Sequence, residues 1–407
     1  MKDKIIENLI KKETKRQQES INLIASENYV SQDVLKALGS VFTNKYAEGY
    51  PALRYYGGNE FIDQLENLTQ FRALKLFKLS PQKWSVNVQP YSGSPANLAV
   101  YLALVPLGEK IMAMQLDMGG HLTHGHKVSA TGKFWQQVAY GVNQKTERLD
   151  YPELMRLAKK EKPKLIVAGY TAYSRKIDFK KFRQIADAID AVLMVDMAHI
   201  AGLVATGVHP SPFSLADVVT TTTHKTLRGP RSALIFSRTE LAKKIDKAVF
   251  PGLQGGPHVN QIAAVAVALL EASQPAFKKY AWQIVKNAQV LAQELKRLGW
   301  RIVSGGTDNH LFLVDTWQKG IGGQEAGDRL EEIGIIVNKN AIPYDKRKPM
   351  DPSGIRIGTP ALTTRGMKEK EMKIIARWIS ETLLDQSDIS KTKKEIYNLS
   401  KKFPLNY

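Results

Sequence analysis

"LIVAGYTAYSRKIDFKKFRQIADAIDAVLMVDMAH", residues 165–199, decides the fold class. "LIVAGY" (165–170) and "AVLMVDMAH" (191–199) are continuous apolar runs that end in polar residues. Strands buried on both faces of a parallel sheet read this way, whereas a strand with one wet face alternates. Between them, "DFKKFRQIADAID" (178–190) reads as the connecting helix. Strand, helix and strand in that order predict an α/β domain with a mostly parallel sheet. In such sheets ligands bind at the carboxyl ends of the strands. That rule makes Tyr170–Thr171, Asp196–His199 and, after the next strand, Thr220–Lys225 candidate site residues.

The same alternation extends outward. "FIDQLENLTQFRALKLF" (61–77) has helical spacing of Phe61, Leu65, Leu68 and Phe71, and "SPANLAVYLALV" (94–105) reads as a helix after a Ser-Gly turn. "VNQIAAVAVALLEASQ" (259–274) is a long apolar helix, and "PAFKKYAWQIVKNAQVLAQELKRLGW" (275–300) reads as a helix pair bridging two domains. Beyond it, "HLFLVD" (310–315) predicts a strand and "GQEAGDRLEEIG" (323–334) a helix. The expected organisation is a helical arm over 1–20, a large domain over 21–276 and a smaller α/β domain over 277–407, with the boundary near Gln274–Lys279.

Composition narrows the function. With 407 residues, 43% hydrophobic and 24% charged, the chain is an ordinary globular sequence long enough for two domains. It has no cysteine, which excludes disulfides, thiolate nucleophiles and cysteine metal sites. No apolar run is long enough to span a bilayer, and "MKDKIIENLIKKETKRQQES" is a charged amphipathic helix without the apolar core of a secretory signal, so a cytoplasmic enzyme is expected. Against 39 acidic residues stand 58 basic ones, a net charge of +19. The basic residues are scattered, and their densest groups, "KRK" (346–348) and "KTKKE" (391–395), are short. A lysine-rich surface is the preferred reading, with nucleic acid expected only as weak charge-driven binding.

"VVTTTTHKTLRGPR" (218–231) places Lys225 just past a strand end. A lysine desolvated there is a candidate Schiff-base former. Asp196, ending an apolar strand, suits a protonated pyridine nitrogen, although a strand-end aspartate also commonly caps the next helix. In "YSGSPAN" (91–97), Gly93 and Ser94 open a helix whose free amides suit a phosphate. "GGHLTHGH" (119–126) carries three histidines; spacing supplies no carboxylate partner for a metal site, so a ring stacked on a flat cofactor is the better use of one. Together these features point to a pyridoxal phosphate enzyme.

The remaining motifs are "LIASENY" (23–29), "TNKYAEGYPALRYYGGNE" (43–60), "FPGLQGGP" (250–257), "VSGGTDNHLFLVD" (303–315) and "SGIRIGTPA" (353–361). With "VDMAHIAGLVATGVHPSP" (195–212) and the Lys225 stretch, they closely resemble the serine hydroxymethyltransferase family from about residue 8 to the end. The resemblance implies a fold-type-I pyridoxal phosphate architecture, a homodimer with shared active sites that pairs into tetramers in some lineages, and one-carbon exchange between serine and glycine with tetrahydrofolate as carrier. It also implies folate-independent cleavage of 3-hydroxy amino acids as a side activity. A folate-independent threonine aldolase is the nearest alternative, and a nucleic-acid-binding protein using the charge is the alternative of another class.

Carried over by motif, the resemblance makes Lys225 the lysine that holds the cofactor as a Schiff base, Asp196 the pyridine partner and His121 the stacking ring. His199 matches the contact to the phenolic oxygen; Gly93, Ser94 and His224 match phosphate contacts, with Gly256 reaching in from the partner subunit. Thr171 stands where the family often has serine. Thr222 matches a contact to the substrate amine, and Thr220, Thr221 and Thr223 read equally as β-branched strand residues. Arg356 matches the substrate carboxylate clamp, whose planar fork gives two parallel hydrogen bonds, supported by Ser26. Glu48 matches the general acid/base, and Tyr46 and Tyr56 aromatic residues contributed across the dimer. Leu116, Gly120, His121, Leu122 and Asn340 match folate contacts. Met118, Ser232–Ala233 and the loop 344–352 depart from the family's pattern without removing a required chemical group.

Overall fold

The computed structural model describes residues 1–405, which divide into two compact units. One comprises Val30–Trp282, the other Met1–Tyr29 with the residues from Gln283 onward.

The larger unit is built on a seven-stranded sheet. Its order is Trp84–Asn87, Ala233–Arg238, Val218–Thr222, Val192–Asp196, Leu165–Ala168, Lys110–Met114 and Gln136–Tyr140. Only Ala233–Arg238 runs against its neighbours; the four pairings from Val218–Thr222 to Gln136–Tyr140 are all parallel. The expected α/β class with a mostly parallel sheet is therefore what the chain adopts. Leu165, Ile166, Val167 and Ala168 are each 0% exposed. Burying a large aliphatic side chain contributes about 1.5–3 kcal/mol, so Leu165, Ile166 and Val167 together hold the strand in the sheet interior. The helix that follows, Phe179–Asp187, starts where the Asp178 side chain accepts the Lys181 amide at 3.1 Å. Its buried positions, Phe179, Phe182, Ile185 and Ala186, recur at helical spacing.

The smaller unit carries a four-stranded antiparallel sheet in the order Arg301–Ile302, Leu311–Asp315, Gly354–Gly358 and Asn338–Asn340. Phe312, Ile355, Ile357, Leu330 and Ile375 lie in its core. The N-terminal segment belongs to this unit: Ile21–Asn22 pairs in parallel with Ile335–Ile336. Arg365 locks the arrangement, donating to the carbonyls of Gln17, Gln18, Ser20, Ser400 and Phe403 at 2.7–3.3 Å. A guanidinium that caps two helix C-termini at once also meets the negative ends of their dipoles.

One expectation is corrected. Residues 275–297 form a single helix, Pro275–Arg297, rather than a pair. Its proline stands at the first position, where the missing amide costs nothing, and no glycine or proline follows to break it.

Candidate functional site

Three neighbouring parallel strands end together in the larger unit, with Ala168 opposite Val195 and Asp196 opposite Thr220. Asp196 stands at the middle of this row with its side chain 12% exposed. Its Oδ2 lies 2.9 Å from Asn97 Nδ2 and 3.1 Å from His124 Nε2, and its Oδ1 accepts the Ala198 amide at 3.1 Å. Burial disfavours the anion, but the neighbouring His124, Lys225 and Asn97 more than offset it and hold the carboxyl well below the usual carboxylate range. The group is a fixed negative charge at neutral pH.

Asn97 ties this carboxylate to the histidine loop. Its Oδ1 accepts from Thr220 Oγ1 at 2.8 Å, and its Nδ2 donates to Asp196 and to Thr123 Oγ1, both at 2.9 Å. Thr123 Oγ1 lies 2.7 Å from His121 Nδ1, which also accepts the Thr123 amide at 3.2 Å. Both contacts fix the plane of the His121 ring. A β-carbon at Gly120 would stand 2.1 Å from Met114 O, so only glycine lets this loop fold back against the strand end. Thr171 braces the loop from the next strand, donating to Gly120 O at 2.7 Å.

The start of helix Gly93–Leu104 lies beside these strand ends. A β-carbon at Gly93 would meet Thr222 Cγ2 at 2.7 Å, so the helix start and the end of strand Val218–Thr222 converge there. Ser94 is exposed on the first turn, where the Gly93 and Ser94 amides have no intrahelical acceptors. Thr222 Oγ1 and His224 Nδ1 are buried and make no hydrogen bond among the described residues. Burial, then the charges of Lys225 and Arg231, push His224 down to about 3, so its ring is neutral. Lys225 is 8% exposed in the following turn. Arg228 closes that turn, its amide donating to Lys225 O at 3.1 Å and its guanidinium lying 4.9 Å from the Tyr280 ring centroid. His199 is buried past the end of Asp196's strand, and its carbonyl accepts from Thr226 Oγ1 at 2.9 Å.

These residues fit a flat, phosphorylated aromatic aldehyde. An amine, a fixed carboxylate, an oriented imidazole and a helix N-terminus match its aldehyde, ring nitrogen, ring face and phosphate. The unpaired Thr222 Oγ1 and His224 Nδ1, both beside Lys225, suit a polar ligand, since most buried polar groups are paired.

A second group lies on the loop of Tyr46, Glu48 and Tyr56. The Tyr46 and Tyr56 rings are 4.9 Å apart edge to face, and Glu48 raises the Tyr46 hydroxyl's pKa by its charge and its hydrogen bond. Gly255 and Gly256 pack against Glu48, and Gly256 O accepts from Tyr91 Oη at 2.9 Å. Leu116 and Leu122 flank the histidine loop, the latter 43% exposed.

The smaller unit carries Arg356, Ser26 and Asn340. Arg356 is 9% exposed on strand Gly354–Gly358. Its Nε donates to Asn338 Oδ1 at 3.1 Å, and its Nη2 lies 3.5 Å from Ser26 Oγ. Burial lowers its pKa to about 10, which leaves it charged at neutral pH. Asn340 Nδ2 donates to Ala341 O at 2.7 Å.

Sequence reasoning missed Asn97, Thr123 and His124 as partners of the site, and it named Thr220 a candidate without its bond to Asn97. His124 does have a carboxylate neighbour, Asp196, but it comes from 72 residues away and no local spacing announces it.

The family model for serine hydroxymethyltransferase matches residues 1–379. Curated relatives named serine hydroxymethyltransferase include one from Acidothermus cellulolyticus, 54% identical over 99% of this chain and 95% of its own. One from Acidobacterium capsulatum is 56% identical over 97% of this chain and 92% of its own. Another, from Coprothermobacter proteolyticus, is 56% identical over 98% of this chain and 95% of its own.

Proposed function

The chain belongs to the serine hydroxymethyltransferase family, pyridoxal phosphate enzymes of fold type I that interconvert serine and glycine with tetrahydrofolate as one-carbon carrier, and from that premise we propose which of its residues carry the reaction. The observation that carries the assignment is the buried Lys225 in the field of Asp196, beside the two unsatisfied polar atoms of Thr222 and His224.

When bound, pyridoxal phosphate supplies the electron sink for the carbon–carbon bond that breaks in serine. Lys225 would hold the cofactor covalently, and Thr222 stands beside it where a hydroxyl could receive the substrate amine. Asp196 keeps a proton on the ring nitrogen by its fixed negative charge. His121 would press on the ring face and His199 would donate to the phenolic oxygen, while Thr171 braces the Gly119–Gly120 turn that precedes His121. The Gly93–Ser94 amides and the neutral His224 would hold the phosphate. Arg356, with Ser26, grips the substrate carboxylate by two parallel hydrogen bonds, which fixes which bond of the α-carbon breaks. Glu48 holds or releases the proton at the hydroxymethyl oxygen, assisted by Tyr46 and Tyr56.

Tyr46 and Tyr56 are 56% and 48% exposed in the single chain, a large share for aromatic site residues. In the homodimer typical of the family, Tyr46, Glu48, Tyr56 and Gly256 then serve the partner's cofactor. Leu116, Gly120, His121, Leu122 and Asn340 receive the folate. Cleavage of 3-hydroxy amino acids without folate follows from the same lysine and clamp. Among the described residues no helix is long and apolar enough to cross a membrane. Soluble substrates make the cytoplasm the fitting location.

Serine turnover with and without tetrahydrofolate tests the reading. Turnover that requires folate supports it; equal rates with and without folate would assign a plain aldolase.

A further inference from the structure

Behind the Glu48 loop lies a carboxylate with no solvent contact. Glu66 is 0% exposed. It shares the inward face of helix Glu60–Leu76 with Ile62, Thr69, Ala73 and Leu76, where an apolar side chain is the usual occupant. An apolar residue there would fill the face with no charge to desolvate, so stability alone does not account for it.

Its partners lead to the site. Arg54 Nη2 donates to Glu66 Oε2 at 2.6 Å, and Gln89 Nε2 donates to Glu66 Oε1 at 2.9 Å. The Arg54 side chain is 5% exposed, and its Nε bonds Asp63 Oδ1 at 2.8 Å. The remaining donor, Nη1, reaches two backbone carbonyls, Ala47 O at 2.9 Å and Gly49 O at 2.8 Å. Gln89 Nε2 reaches the same Gly49 O at 2.9 Å. Those two carbonyls flank Glu48. Glu48's own carbonyl accepts the Tyr55 amide at 3.1 Å, so the Glu48 backbone is held on both sides and from across the turn. Gly49 sits at φ +94, and a β-carbon there would stand 2.2 Å from Leu53 O, which leaves one tight path for the chain.

We propose that Glu66 is a positioning residue for the one-carbon step: through Arg54 and Gln89 it fixes the Ala47–Gly49 backbone, and with it the place of the Glu48 carboxylate. This rests on the reading that Glu48 handles the proton. Burial pushes the Glu66 carboxyl up, and Arg54 offsets only part of that rise. Both its oxygens face N–H donors. A glutamine at 66 must turn its own NH₂ toward one of them, which breaks one side of the clamp while keeping the shape.

The test uses the holoenzyme. Glu66→Gln, Glu48→Gln and the double variant are compared for serine kcat and KM with tetrahydrofolate, cofactor absorbance and glycine affinity. Removing an orienting partner of a reacting group typically costs about 10- to 100-fold, and Glu66→Gln is expected to lose kcat in that range. KM for serine, cofactor absorbance and glycine affinity stay unchanged, and the double variant loses no more than Glu48→Gln alone. Full kcat in Glu66→Gln beside an inactive Glu48→Gln overturns the positioning role. So does parallel loss of cofactor and glycine binding, which marks a structural role only. Full activity in Glu48→Gln removes the reading of Glu48 itself, a distinct outcome. Should Glu66→Gln not fold, Gln89→Met tests the same clamp without unpairing a charge: reduced kcat at unchanged glycine affinity supports the proposal, and unchanged kcat overturns it.

Discussion

Asp196 Oδ2 lies 3.1 Å from His124 Nε2, an imidazole supplied by the loop that also carries the His121 ring. The fixed carboxylate and the His121 ring are thus parts of one hydrogen-bonded web, closed by Asn97 and Thr123.

This web predicts that His124→Phe weakens the cofactor site without touching the cofactor. Losing one hydrogen bond to this buried carboxylate, with Asn97 still on the same oxygen, costs about 1–3 kcal/mol. Cofactor affinity, read by absorbance during titration with pyridoxal phosphate, falls about 5- to 100-fold by that measure. Asp196→Asn, which removes the charge itself, is expected to cost serine turnover more than His124→Phe does. Equal turnover in the two variants would mean that the Asp196 charge is not needed.

His224 gives a pH dependence with a definite sign. Its folded-state value, about 3, is depressed by burial below the ordinary histidine value, so the folded chain refuses a proton that the unfolded chain accepts. Stability from this group is fully present above the unfolded value near 6.5 and is lost as pH falls from there toward 3. Between pH 7 and 5 the cofactor-free chain should lose about 2 kcal/mol that a His224→Asn variant does not lose, measured by urea unfolding. Identical losses in both proteins would contradict the burial argument.

Arg356→Lys keeps a positive charge and loses the fork. A charge-assisted hydrogen bond contributes about 1.5–3 kcal/mol, so KM for serine should rise about 10- to 100-fold, with cofactor absorbance unchanged. An unchanged KM would mean that the carboxylate is held elsewhere.

Much of this was legible in the chain. Residues 165–199 announce two adjacent parallel strands because both are buried on both faces, and that burial removes the alternation an exposed face would impose. Lys225 and Asp196 were legible as candidate site residues because strand ends in a parallel sheet point to one rim. What was not legible depends on register. Thr220 bonds Asn97 across 123 residues and His124 meets Asp196 across 72, through sheet order that no local pattern encodes. Glu66 reads as a polar helix position until the fold shows that it faces inward. The helix Pro275–Arg297 read as two because its polar stretches resemble a break, although nothing in it interrupts the hydrogen-bond ladder.

The central claim is that Lys225 is the residue that takes the cofactor, and borohydride trapping tests it most directly. The purified protein, saturated with pyridoxal phosphate and reduced, is digested and its peptides weighed. The account predicts one phosphopyridoxyl label, on the peptide containing Lys225, and no label there in Lys225→Arg, which should fold normally. A stable label on another lysine in the wild-type protein, with Lys225 unmodified, would contradict it.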